Sequence, residues 1–133
     1  NRQHDSYLNL PLDEMMLHIQ KAIENGHPVC WEGDISEEGF IHAKDNYVDI
    51  SKNERPVTPT SRQEEFEQLR TTDDHVMEII GTFLKDEQRY YVCRNSAGKI
   101  WGNQGLIYLS EDYLRLKTIA VFMSEEAFLF DRK

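Results

Sequence analysis

The chain has 133 residues, a length typical of one domain, and 39% of them are hydrophobic, which argues against wholesale disorder. The 24 acidic and 15 basic residues give a formal charge of −9 without any basic cluster, so no nucleic-acid partner is expected. No apolar run approaches the roughly 18 residues of a membrane span, so no membrane partner is expected either. The sequence begins with Asn1 rather than Met, which suggests that a segment lies upstream.

The N-terminal third predicts one long helix followed by a strand. Apolar residues recur at three- and four-residue steps, Asn9 or Asp13 is placed to cap the start, and Asn25-Gly26 ends the pattern. The short apolar run over 28–31 then predicts a buried strand.

The middle of the chain is more polar. Residues from about 41 to 60 predict a long surface loop with one alternating segment at 46–50. Ser61 is predicted to cap a short helix after this loop, with Glu64 in the capping-box position.

From residue 76 onward the pattern changes to strands. Residues 76–84 and 89–93 predict a hairpin with its turn at 85–88, and further strands are predicted over 106–109 and 118–123. A turn or helix capped by Ser110 separates the last two strands. Helices followed by antiparallel strands predict an α+β fold, with a curved sheet or small barrel, in a single domain spanning residues 1–133.

The hairpin also predicts a chemical site. His75 lies just before its first strand and Asn95 just after its second, so the fold of the hairpin brings the two residues close together. An amide oxygen that accepts a ring N–H fixes the tautomer of the imidazole and leaves the other nitrogen to act as a base. On spacing alone, a solvated histidine and an ordinary turn asparagine are the more common interpretation.

The sequence around both residues resembles a known family. The His and Asn segments of papain-like cysteine peptidases are similar to these stretches of the chain: Asp74-His75-Val76-Met77, Ile79-Ile80-Gly81, Tyr90-Tyr91-Val92 and Arg94-Asn95-Ser96. The bleomycin hydrolase and aminopeptidase C branch is similar in further stretches: Asn9-Leu10-Pro11-Leu12-Asp13-Glu14-Met15, Trp31-Glu32-Gly33-Asp34-Ile35-Ser36-Glu37, Arg62-Gln63-Glu64-Glu65-Phe66 and Thr71-Thr72-Asp73-Asp74-His75. The resemblance covers nearly the whole chain except the loop near 41–60 and the last few residues.

This resemblance implies the C-terminal half of a papain-like fold, with an antiparallel, barrel-like sheet and a long N-terminal helix. It implies thiol-dependent hydrolysis of peptide bonds by an aminopeptidase in which His75 is the general base and acid and Asn95 orients it. The nucleophilic cysteine of the family lies on an N-terminal half that this chain lacks. The implied partners are a peptide substrate, that missing half and a homohexamer, and the implied location is cytoplasmic.

Several residues depart from the family pattern. Cys30 and Cys93 are not expected to replace the nucleophile, because neither has the sequence context of an activated thiol. Ala97 stands where the family carries a Trp that shields the His–Asn bond, and Glu78 stands where a second His is expected. These departures favour a catalytically inactive, peptidase-like binding module as the alternative function.

No cofactor or metal is expected. The remaining histidines share no metal-ligand spacing, so surface or helix-face positions are predicted for His4, His18, His27 and His42.

Overall fold

The computed structural model describes residues 8–35, 45–50, 54–67, 75–95 and 105–130. Four helices and six strands occur in these ranges, so the predicted α+β class is confirmed. In chain order they are α1 (Leu12–Glu24), β1 (Val29–Gly33), β2 (Tyr47–Val48), α2 (Pro59–Glu67), β3 (His75–Lys85), β4 (Gln88–Asn95), β5 (Leu106–Ser110), α3 (Glu111–Lys117), β6 (Thr118–Phe122) and α4 (Glu125–Phe130).

Helix α1 is the predicted long N-terminal helix. It ends before Asn25 as expected, and Gly26 follows in the left-handed region with a φ of 83°. The predicted N-caps are wrong, because Pro11 holds the N-cap position and no side chain caps the helix. The buried side chains form one stripe: Leu12, Met16, His18, Ile19, Ala22 and Ile23.

The strands form a single six-stranded sheet in the order β2-β5-β4-β3-β1-β6. Neighbours are antiparallel except for β2 and β5, which pair in parallel. The chain between them contains a helix and a complete hairpin, which is long enough for the crossover that parallel strands need. Among the described strands β2 and β6 are the two edges, so this part of the sheet is open rather than a closed barrel.

Strands β3 and β4 form the predicted hairpin. Asp86 and Glu87 make its two-residue turn with φ values of 53° and 65°, which is the geometry of a type I′ turn. The register shifts between Ile79 and Gly81 and then places Met77 opposite Asn95 at the open end. The open end of this hairpin is therefore where the candidate site must lie.

The predicted loop at 41–60 contains more structure than its polar sequence suggests. Strand β2 lies within it, Val57 is buried, and α2 starts at Pro59. Thr58 and Ser61 exchange hydrogen bonds between side-chain oxygens and backbone N–H groups, at 3.0 and 3.1 Å. Thr58 is therefore the cap, and the prediction of Ser61 as cap with Glu64 as its partner is wrong.

One hydrophobic cluster joins α1 to the sheet, and it includes Trp31, Met77 and Cys93. His18 is buried beside this cluster rather than at the surface, because its ring stacks on Phe128 of α4 at 4.4 Å between centroids. His27 is partly exposed, whereas His4 and His42 lie outside the described residues.

Candidate functional site

Three neighbouring strands bring the candidate residues into two rows on the side of the sheet that faces α1. In the first row, Met77 of β3 stands between Trp31 of β1 and Asn95 of β4. In the second row, His75 of β3 stands opposite Gly33 of β1. Since side chains two residues apart on a strand share a face, His75 and Asn95 are diagonal neighbours on one face.

The structure brings the two predicted site residues together. His75 Nε2 lies 2.7 Å from Asn95 Oδ1, which is hydrogen-bond distance. The amide oxygen can only accept, so Nε2–H donates and Nδ1 is the basic nitrogen of the ring. Asn95 is 3% exposed, and a hydrogen bond in such a dry position holds its partner more strongly than one in water.

A fully buried tryptophan, Trp31, stands on β1, on the other side of β3 from Asn95. The Trp31 indole N–H donates to Thr118 Oγ1 on β6 at 2.6 Å. A Cβ atom built on Gly33 would lie 2.2 Å from Cζ2 and 2.6 Å from Cη2 of Trp31, and 2.6 Å from the Lys117 carbonyl oxygen. The indole therefore occupies the space where a side chain at position 33 would stand, directly across from His75.

Neither cysteine approaches the imidazole. Cys30 lies opposite Glu78, on the other face of the sheet from His75. Cys93 lies opposite Ile79, four residues along β3 from His75, which is about 13 Å of extended strand.

Both thiols are also poor nucleophiles. Burial raises the pKa of Cys30, and the nearby carboxylates of Glu32 and Glu78 raise it further. Burial alone holds the pKa of the Cys93 thiol far above its usual range. At neutral pH both side chains are protonated thiols rather than thiolates.

The other face of the sheet carries an apolar groove of about 580 Å³. Its exposed apolar side chains include Val76, which is 44% exposed, and Phe122, which is 41% exposed. Glu78 and Arg94 form an ion pair of 3.5 Å at its rim, so the carboxylate that replaces the expected second histidine faces a guanidinium. Val76 follows His75 directly, so the groove and the candidate site lie on opposite faces of the same stretch of β3.

Ala97, which departs from the family pattern, and Asp73 and Asp74, which precede His75 in the sequence, lie outside the described residues. Conversely, sequence reasoning missed Trp31 and Gly33, which stand on the strand next to His75, and Thr118, which binds the Trp31 indole. The Trp-x-Gly spacing predicts that Trp31 and Gly33 share one face of their strand, because residues two positions apart do so. The sequence does not predict that this strand pairs with β3.

Within the described residues no group of three or more potential metal ligands comes together. No helix in those residues has both the length and the apolar character needed to cross a membrane.

Comparisons with known proteins support the resemblance at the level of the fold. No protein-family model and no curated protein sequence matches the chain. Among solved structures it is similar to PepW from Lactobacillus rhamnosis HN001 (DR20), with a TM-score of 0.71 and 20% sequence identity. PepW is a peptidase like bleomycin hydrolase and aminopeptidase C. The match covers 90% of this chain and 28% of PepW, so the chain shares the fold of one part of that peptidase.

Proposed function

We propose that this chain is the histidine-bearing part of a thiol-dependent aminopeptidase of the bleomycin hydrolase and aminopeptidase C type. His75 is its general base and acid, and Asn95 orients the imidazole. The nucleophilic cysteine belongs to the complementary, N-terminal half of a papain-like fold. The observation that carries this proposal is the 2.7 Å contact between His75 Nε2 and Asn95 Oδ1.

The chemistry follows from the tautomer. With Nε2–H held by Asn95, Nδ1 takes the proton of an incoming thiol and returns it to the leaving amine. The Asn95 amide is uncharged, so it orients the ring without placing a carboxylate beside it. The thiolate attacks the peptide carbonyl, the amine leaves with the proton from Nδ1, and water then hydrolyses the thioester.

The nucleophile must come from elsewhere, because Cys30 lies on the wrong face of the sheet and Cys93 is about 13 Å along it. The match to 28% of PepW leaves most of that peptidase without a counterpart in this chain. We therefore propose that the cysteine-bearing half reaches the imidazole at the open end of the β3–β4 hairpin, on the face of the sheet that carries His75 and Asn95.

A peptide with an unblocked N-terminus is the proposed substrate. The homohexamer and the cytoplasmic location that the resemblance implies stay predictions.

The alternative function is a binding module that kept the fold without the chemistry. The ion pair between Glu78 and Arg94 favours it, since a carboxylate occupies the position of a second histidine. A reactive thiol in the complete polypeptide distinguishes the two functions.

The test uses the complete polypeptide that contains this chain. We expect it to release coumarin from an aminoacyl-coumarin amide and to form a covalent adduct with a thiol-directed epoxide. His75→Ala should lower kcat by about 10²–10⁴-fold, because it removes the general base. Asn95→Ala should lower kcat less and leave KM nearly unchanged, because the base is present but poorly oriented.

Glu125→Ala is the matched control, since Glu125 is exposed in the first turn of α4 and should leave kcat unchanged. An upstream segment without a cysteine, or a complete polypeptide that neither hydrolyses the amide nor reacts with the epoxide, would leave only the binding module.

A further inference from the structure

We infer, resting on the proposed function, that Trp31 is a positioning residue for His75. Thr118 holds the indole in place, and Gly33, which has no side chain, leaves the space that the indole occupies. Trp31 and Asn95 flank His75 in the register of the sheet. Met77 stands between Trp31 and Asn95, so these two residues are the diagonal neighbours of His75 on either side. Asn95 approaches the imidazole from β4, and Trp31 stands in the corresponding position on β1.

The Trp31 indole fills the space beside Gly33. Side chains that face each other across an antiparallel pair have Cβ atoms about 4.5–5.5 Å apart. Trp31 Cζ2 and Cη2 lie 2.2 and 2.6 Å from where the Cβ of Gly33 would be, so the edge of the indole stands where the partner of His75 would stand. The indole thus limits the space for the His75 side chain on the side away from Asn95.

Burial and a hydrogen bond fix the orientation of the Trp31 indole. Trp31 is fully buried, and its N–H has Thr118 Oγ1 as acceptor at 2.6 Å. The chain also closes around this point, because the Asp34 N–H donates to the Lys117 carbonyl oxygen at 3.1 Å. A buried donor without an acceptor is costly, so the Trp31 side chain has one favourable orientation.

This arrangement predicts that β6 acts through Trp31 on the tautomer and orientation of His75. If the indole moves, His75 gains room to turn away from Asn95. The hydrogen bond to Asn95 then no longer favours the Nε2–H tautomer over the Nδ1–H tautomer. Thr118→Val keeps the shape of the side chain and removes the acceptor of the indole. Trp31→Phe keeps an aromatic ring and removes the part that reaches Gly33.

The experiment is long-range ¹H–¹⁵N NMR of the histidine rings in the 133-residue chain, which reports the tautomer without a nucleophile or substrate. We expect the wild type to show the Nε2–H tautomer of His75, and Asn95→Ala to show a tautomer mixture. Trp31→Phe and Thr118→Val should shift the ¹⁵N signals of His75 in the same direction as Asn95→Ala. Ser110→Ala is the matched control, because it also removes the hydrogen bonds of a buried side chain. Ser110 lies opposite Tyr90, at the end of β5 that is far from Asn95.

The outcomes separate the two proposals. If Asn95→Ala changes the His75 signals while Trp31→Phe and Thr118→Val only lower the unfolding midpoint, as Ser110→Ala does, the role of Trp31 is overturned and the proposed function stands. If the wild type lacks the Nε2–H tautomer, both are overturned. In the complete enzyme, Thr118→Val should lower kcat about tenfold with KM nearly unchanged, and Thr118→Ser, which keeps the hydroxyl, should restore it.

Discussion

At the scale of single residues, Asp49 ties the segment after β2 to the sheet. Its carboxylate accepts hydrogen bonds from Arg55, Ser110, Gln88 and the Ile50 N–H. Burial alone would raise the pKa of Asp49, but these hydrogen bonds outweigh it and lower the pKa below its usual value. A lowered pKa in the folded state stabilises the protein above the unfolded pKa, and that stabilisation is lost as the pH falls through the folded value.

Asp49→Asn should therefore change the pH dependence of stability. At pH 7 we expect the free energy of unfolding of the variant to be about 1–2 kcal/mol lower than that of the wild type. The difference should begin to shrink below about pH 4, where the unfolded-state carboxylate takes up its proton, and should be lost only as the pH falls through the lowered folded pKa of Asp49. Urea titrations at both pH values measure it. The control is Asp13→Asn, an exposed partner of Arg115, which should cost less than about 1 kcal/mol. A constant difference for Asp49→Asn at all pH values would contradict the expectation.

The two thiols should differ in accessibility. Cys30 is partly exposed in the groove, whereas Cys93 is completely buried. With iodoacetamide at pH 8, we expect slow alkylation of Cys30 in the native chain, because its pKa is raised. Cys93 should react only after unfolding in urea. Mass spectrometry of tryptic peptides measures both, with Cys30→Ser as the control, and rapid alkylation of native Cys93 would show that β4 opens far more often than its burial implies.

At the scale of elements, the start of α2 provides a sharp test of the capping geometry. Thr58→Ala should lower the free energy of unfolding by about 1 kcal/mol, since it removes the side chain that accepts the Ser61 N–H. Glu64→Ala should have almost no effect, because Glu64 is exposed and does not cap the helix. Chemical denaturation measures both variants, and a larger effect of Glu64→Ala would favour the capping box that the sequence predicts.

The elements that could be predicted are those whose signals are local. The stripe of α1, the β3–β4 hairpin and the cap at Ser110 each depend on residues close in sequence, and each is present. The short helix α4 was missed, because six residues carry too little periodicity and its contact with α1 comes from the stacking of Phe128 on His18. The parallel β2–β5 pair is likewise a tertiary feature.

The candidate site divides in the same way. His75 and Asn95 were predictable because one hairpin joins them, so a local register decides their distance. Trp31 and Thr118 were not, because they are 87 residues apart and meet only when β1 lies between β3 and β6. Sequence spacing contains no information on that strand order.

At the scale of the whole molecule, the sheet has two unlike faces. One packs against α1 and carries the His75–Asn95 pair, and the other carries the groove lined by Val76 and Phe122. A second aromatic group lies at the far end of the groove face, where Tyr47 contacts Phe83, Tyr90 and Tyr108. Much of the apolar surface on the groove face is therefore already paired, which leaves the groove as the most exposed apolar part of that face among the described residues.

The isolated chain should bind a hydrophobic dye at this groove. We expect Phe122→Ser to lower the fluorescence of bound anilinonaphthalene sulfonate severalfold, because it removes a large exposed apolar side chain from the groove. Leu84→Ser is the matched control, since Leu84 is 65% exposed but lies beside the hairpin turn. Equal losses in both variants would mean that the dye reports general surface hydrophobicity rather than binding at the groove.

The edge position of β6 has a practical consequence for handling the protein. Among the described strands only β1 pairs with it, and its sequence from Thr118 to Phe122 contains no lysine, glutamate or proline of the kind that discourages further strand addition. Two copies of the isolated chain can extend their sheets through this strand into a continuous one. Concentrated solutions of the chain should then precipitate with time, and dilute storage is the safer way to keep the protein.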